Sequence, residues 1–236
     1  INDLTIPFSV TSIGNNAFGS CAQIRSVVIS GEAGTLSSLF PNAYQQIVSV
    51  TVLPGSEKLM NRIFAGCKSL KNVDVPTSVT EIGEGAFEGC TALTSAGIPA
   101  GVTVLGKGAF RGCSTLTEIT LPNGLSLLED EVFSGCSLLS AITIPESVGE
   151  IGSKVFNGCT ALHSVKFVGN APLADGESYT GVSSSLITYV PYASMGWDGI
   201  SASMALPEFW PAGYENTIEW WNPIRFDVTF DWNCGN

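Results

Sequence analysis

Six of the seven cysteines stand in step, at Cys21, Cys67, Cys90, Cys113, Cys136 and Cys159. The last five are 23 residues apart, and Cys21 precedes Cys67 by twice that interval. Thiols repeated at one spacing invite two chemistries, disulfide formation and metal ligation. If each interval is one turn of a stacked array, successive Cα atoms lie about 5 Å apart, inside the disulfide range. Parallel stacking, however, points the Cβ vectors alongside one another, which is poor geometry for a bridge. The clustered Cys-x-x-Cys of a zinc site is absent. The pattern instead predicts a ladder of buried free thiols, each acting as a small hydrophobe. Cys234 stands outside the series as a free thiol.

Other reactive types are sparse. A single histidine, His163, excludes most histidine-dependent catalysis and any multi-histidine metal site. Other units fill its slot with Arg25, Val48, Lys71, Thr94, Thr117 or Ser140, so it reads as a surface residue. Glu129, Asp130 and Glu131 form an acidic run with no fixed partner across units. Carboxylate catalysis needs two groups about 5–10 Å apart in a cleft, and a repeat array offers none by default, so the run reads as a solvated edge. Glu84 and Glu88 fall on the helical side of one unit, away from the outward strand row. Asp175 and Glu177, or Asp227, Asp231 and Asn233, carry oxygen ligands suited to calcium, but neither run has the spacing of a calcium loop. No nucleophile–base–orienter set and no phosphate-cradling loop appears. The sequence therefore assigns no catalytic residue, no cofactor site and no metal site.

The elements that hold these residues follow from the same interval. Counting from each cysteine slot, an apolar residue recurs three residues on (Ile24, Ile47, Leu70, Leu93, Leu116, Leu139, Leu162) and six on (Val27, Val50, Val73, Ala96, Ile119, Ile142, Val165). Proline follows at Pro76, Pro99, Pro122 and Pro145, and each regular unit closes on Phe64, Phe87, Phe110, Phe133 or Phe156. The alternation of Val73 and Val75 before Pro76 predicts a strand of about three residues ended by proline. Ile82, Ala86, Phe87 and Cys90 share one face of a short helical turn, which the flanking glycines keep brief. No such unit covers both of its own apolar faces, so stacking into a solenoid is required. With strands about 4.8 Å apart, eight rungs make a ladder of roughly 35–40 Å.

Charge narrows the partners. Twenty-one acids against ten bases give a net charge of −11 and a pI near 4.4. Ten scattered cations supply no basic stripe, which excludes nucleic acid. The longest uncharged stretches, 89–106 and 178–197, are broken by Gly, Pro, Ser and Thr, so neither is a membrane span.

The unit resembles the BspA-type leucine-rich repeat, the 23-residue treponemal class, and "IGEGAFEGCTALTSAGIP" and "IGSKVFNGCTALHSVKF" are typical lines of it. The resemblance covers residues 1–191. It implies a right-handed, horseshoe-like α/β solenoid with a curved parallel sheet and brief helical turns. It also implies an extracellular or cell-surface protein with adhesive roles.

Two regions depart from the pattern. Around residues 31–64 the Ile-Gly and Cys are lost, and Pro41 occupies the phenylalanine slot. The interval survives, so the rung is expected to persist with its returning side reshaped. The last unit, up to Pro191, reads as a loop followed by a final strand. Ile1 falls in a leucine slot, so the chain begins inside a repeat. Residues 192–236 hold all five tryptophans, Trp197, Trp210, Trp220, Trp221 and Trp232, and read as an aromatic-rich C-terminal cap or the start of a following module. Phe226, Val228, Phe230 and Trp232 alternate as a half-buried strand would, and "FDVTFDWNCGN" is similar to the opening of internalin B-type repeats.

The positions five and seven residues after each cysteine slot point away from the core. From them the candidate partner-contact row is Asn72, Asp74, Glu118, Thr120, Thr143 and Lys166. The leading functional expectation is a monomeric, non-enzymatic interaction or adhesion module, contacting a protein or glycan on another cell or matrix through this row. Two alternatives stand beside it: glycan binding by stacking on exposed tryptophans of the tail, and a passive spacer.

Overall fold

The computed structural model describes residues 2–10, 13–174, 177–183, 185–191 and 217–221. The chain winds as a parallel-strand solenoid. Nine strands begin at Asp3 and then every 23rd residue, at Ser26, Ser49, Asn72, Ser95, Glu118, Ala141, Ser164 and Ile187, and so bound eight turns. The pairing is parallel and its register equals the repeat: Ser49 lies opposite Asn72, Ala141 opposite Ser164, and Ser164 opposite Ile187. A further strand, Thr217–Trp221, pairs with Ile187–Pro191.

This long ladder is not one sheet. It divides into three hydrogen-bonded groups, with the short strand pair Ser95–Ala96 and Glu118–Ile119 in the middle. Ala96 and Gly97 replace the β-branched residues that most other rungs carry there, and both types weaken a strand. A second ladder of two-residue strands runs along the returning side, as Lys58–Leu59, Glu81–Ile82, Val104–Leu105, Leu127–Leu128, Glu150–Ile151 and Leu173–Ala174. Ile82 therefore sits in a strand rather than on a helical face. The rest of the return is a run of single turns closed by i→i+3 bonds, such as Cys90 N–H to Phe87 O and Leu93 N–H to Cys90 O, both 3.1 Å. A third row of cross-rung bonds binds these turns together: Phe87 N–H donates to Ala109 O, Phe110 to Val132 O and Phe133 to Val155 O, at 2.8–3.0 Å. Alternate amides of the return, Gly85, Phe87 and Gly89 in one unit, thus find their acceptors on the next rung, at Lys107 O, Ala109 O and Arg111 O. The glycine before each cysteine from Cys67 to Cys159 (Gly89, Gly112 and Gly135 among them) holds φ of +70° to +76°, a conformation that disfavours any side chain.

The interior is built in columns. Phe64, Phe87, Phe110, Phe133, Phe156 and Tyr179 are buried, with neighbouring ring centroids 4.9–6.0 Å apart. Beside them run the thiols. Among the described residues six cysteines are free, and the five from Cys67 to Cys159 are buried. Four have a specific use: the Sγ–H of Cys90, Cys113, Cys136 and Cys159 donates to the carbonyl of Phe64, Phe87, Phe110 and Phe133 on the preceding rung, at 3.1–3.2 Å. Burial pushes the Cys67 and Cys159 thiols up to about 12 and those of Cys90, Cys113 and Cys136 well above the ordinary value.

The irregular region keeps its rung, Ser49–Val52, and reshapes the return with the short helix Leu36–Leu39, capped by Thr35, and a 3₁₀ turn at Tyr44–Gln46. Pro41 does not leave a gap, because Phe40 is fully buried and stacks on Phe18 at 4.9 Å. The acidic run is not merely a solvated edge. Asp130 accepts from Ser153 N–H and from Lys107 Nζ, Glu129 accepts from Lys107 N–H, and Glu131 pairs with Arg111. Glu88 likewise bridges Arg62 and Arg111, so alternating charges tie four consecutive units. The tryptophan cap, the alternation at Phe226–Trp232, Asp175, the Asp227–Asn233 run and Cys234 lie outside the described side chains.

Candidate functional site

Strand alternation decides which side chains are available. In Ala141–Ile144 the exposures run exposed, buried, exposed, buried, and Ser49–Val52 and Ser164–Phe167 follow the same phase. Their buried members fill the core. The others form two outward columns over the nine rungs, with no part in that packing.

Asn72, Asp74, Glu118, Thr120, Thr143 and Lys166 all stand in these columns, and all but half-buried Lys166 are exposed. They do not form one cluster. Asn72 and Asp74 share a rung in the first hydrogen-bonded group, before the Ser95–Ala96 interruption. Glu118, Thr143 and Lys166 come together with Ala141, Ser164 and Tyr189 around an open hollow of about 360 Å³, floored by Ile119 and Ile142. Thr143 lies opposite Lys166 in the pairing, and Lys166 opposite Tyr189. Partial burial strips water from the Lys166 ammonium and lowers its pKa from the ordinary lysine value.

Tyr189 is the residue that reading by cysteine slot misses. Its unit has Val182 in place of cysteine, so the marker that identifies the other units is gone. Counting 23 residues on from Lys166 nevertheless lands on it. His163 is exposed at the flank of the face, with Nδ1 3.1 Å from Ala161 O. Among the described residues, no group of three or more His, Cys, Asp or Glu side chains is placed to hold a metal ion.

Parallel strands in 23-residue register, a continuous apolar column structure and turn-built returns define a leucine-rich-repeat solenoid. The chain belongs to the BspA type leucine rich repeat family, whose model matches in six copies across residues 1–96, 37–163 and 81–185. No curated protein sequence matches the chain. Among solved structures it is similar to a leucine-rich repeat protein from Bacteroides ovatus, with 21% identity over 92% of this chain and 69% of that one, at a TM-score of 0.55. A leucine rich cell surface protein from Faecalibacterium prausnitzii aligns at 24% identity over 93% of this chain and 79% of that one, with a TM-score of 0.44. The T. pallidum leucine rich repeat protein aligns at 21% identity over 80% and 73%, with a TM-score of 0.36. No helix among the described residues is long and apolar enough to cross a membrane.

Proposed function

We propose that this chain is a non-enzymatic adhesion module, displayed outside the cell, that holds a macromolecule of another cell or of a matrix against the outward columns of its long ladder. One observation carries the reading. These columns span nine rungs, across three hydrogen-bonded groups, and their side chains stand outside the buried core, so their chemistry is free to serve a partner. Membership of a leucine-rich-repeat family supports the same assignment.

The test is adhesion of protein-coated beads to a panel of epithelial and bacterial cell surfaces. Replacing Asp74 and Glu118 by Lys is expected to reduce bead retention at least about tenfold with no change in melting temperature, since both side chains are exposed. Glu81→Lys with Glu84→Lys on the returning side is the matched control and is expected to leave retention intact. Glu88 is unsuitable as a control because it bridges two arginines. Equal loss from both pairs would contradict the assignment.

A further inference from the structure

We propose that Asn123 is a site of self-modification, its side-chain amide converted to a carboxylate by attack of the Gly124 backbone nitrogen. This is independent of the functional reading above. The chain holds two Asn-Gly steps, Asn123-Gly124 and Asn157-Gly158. Glycine after asparagine matters because no Cβ shields the attacking nitrogen. The fold places the two steps in opposite circumstances. Asn123 and Gly124 are both exposed, as the central pair of a turn between buried Pro122 and buried Leu125. That turn is closed by Leu125 N–H donating to Pro122 O at 3.3 Å. Among the described residues, Gly124 N–H has no acceptor and the Asn123 side chain no hydrogen-bond partner. Asn157 and Gly158, by contrast, are half-buried. Gly158 N–H donates to Thr180 O at 3.0 Å and Asn157 N–H to Lys154 O at 3.1 Å, and Gly158 is held at a φ of +72°.

The step uses only the turn and water. The Gly124 nitrogen gives its proton to hydroxide and forms a bond to Asn123 Cγ, closing a succinimide ring. The Cγ–Nδ2 bond breaks, and Nδ2 takes a proton from water and leaves as ammonia. A second water then opens the ring at either carbonyl, giving aspartate or isoaspartate, with nothing oxidised or reduced. Nucleophile and electrophile belong to adjacent residues, so the reaction is intramolecular and its rate depends on how readily they meet. At Asn123 a single long turn bond opposes the rotation that brings them together, and exposed turns open at little cost. At Asn157 the nitrogen must first leave the row of bonds that ties one rung to the next. The product deepens a net charge already at −11. It also sets a carboxylate near Glu146, which lines with Asn123, Ser147 and Val168 the same hollow of about 350 Å³. Isoaspartate further adds a methylene to the backbone between Pro122 and Leu125.

The experiment is incubation of the native whole chain at pH 8 in heavy-oxygen water, followed by peptide mass spectrometry that separates aspartate from isoaspartate. The heavy label marks conversion during incubation and distinguishes it from conversion during digestion. Asn123 is expected to convert about tenfold or more faster than Asn157, giving both aspartate and isoaspartate. In denaturant the fold no longer distinguishes the two steps, and their rates should converge to within about threefold. Gly124→Ala should slow conversion at Asn123 about tenfold by shielding the nitrogen. The added methyl group would approach Thr103 Cγ2 at 3.2 Å, so its melting temperature is measured alongside. Asn123→Gln, which leaves Gly124 untouched and lengthens the arm, should suppress the labelled product at position 123 without that contact. Native conversion of Asn157 as fast as that of Asn123 would overturn the proposal. Aspartate as the sole product would do so too, because ring opening yields both acids. A rate ratio that persists in denaturant would assign the preference to local sequence and overturn the role given to the fold.

Discussion

A cysteine in this fold is a hydrogen-bond donor of hydrophobic size. Alanine in its place would leave a hole, and serine would bury a more polar group. The thiol fills the column and still reaches the carbonyl of the preceding rung at 3.1–3.2 Å. The sequence spacing foretold buried, unbridged thiols, but the hydrogen bonds were not legible in it, because they depend on which carbonyl the neighbouring turn presents. A pH prediction follows from burial. In the unfolded chain these thiols ionise near 9.0, whereas in the folded protein Cys67 and Cys159 wait until about 12. Their contribution to stability is fully present below pH 9 and is lost as pH rises toward the folded values, at up to about 1.4 kcal/mol per pH unit for each thiol. Denaturant titrations at pH 8 and pH 10.5, with reductant, should show a clear loss of stability at the higher pH. Native protein at pH 8 should leave Cys67, Cys90, Cys113, Cys136 and Cys159 unlabelled by maleimide. Rapid native labelling of these five would contradict the packing.

Among the elements, the strands were the most legible, because alternation ended by proline has few other solutions. The returns were less so. Spacings that bring Ile82, Ala86, Phe87 and Cys90 to one side suit a helical turn, but they are met equally by a two-residue strand followed by tight turns. Cross-rung acceptors decide between them: Phe87 N–H bonds to Ala109 O at 2.8 Å instead of closing a helix within its own unit. Glu131 was misplaced for a related reason, since its arginine partner lies 20 residues away in sequence and one rung away in space. The phenylalanine column offers the sharpest test at this scale. Phe110 is fully buried between Phe87 and Phe133. Phe110→Ala should therefore cost roughly 3–5 kcal/mol by chemical denaturation, from lost transfer energy and the cavity left behind. Phe18 is only partly buried and stacks on Phe40 alone among the ring contacts, so Phe18→Ala should cost clearly less. Equal costs would argue against a stack in which each unit depends on its neighbours.

At the scale of the whole molecule, three rows of cross-rung hydrogen bonds fix the solenoid and leave the outward columns with no structural task. That division of labour is why the fold was legible from one interval while the site was only partly so. The interval specifies the core slots and is silent about the others. It pointed to Lys166 and Glu118, missed the ring of Tyr189 beside them, and could not show that Asn72 and Asp74 fall in a separate part of the ladder. The claim that this face makes the contact is tested most directly by blocking it. In a background of Cys21→Ser and Cys234→Ser, a cysteine is introduced either as Thr143→Cys on the face or as Thr103→Cys on the returning side, both exposed positions. Each is coupled to a bulky maleimide-linked polymer, and bead adhesion is measured before and after coupling. The account predicts that coupling at position 143 abolishes adhesion and that coupling at position 103 leaves it unchanged. Adhesion that survives the block at 143 but is lost with the block at 103 would place the contact on the other side of the solenoid and contradict it.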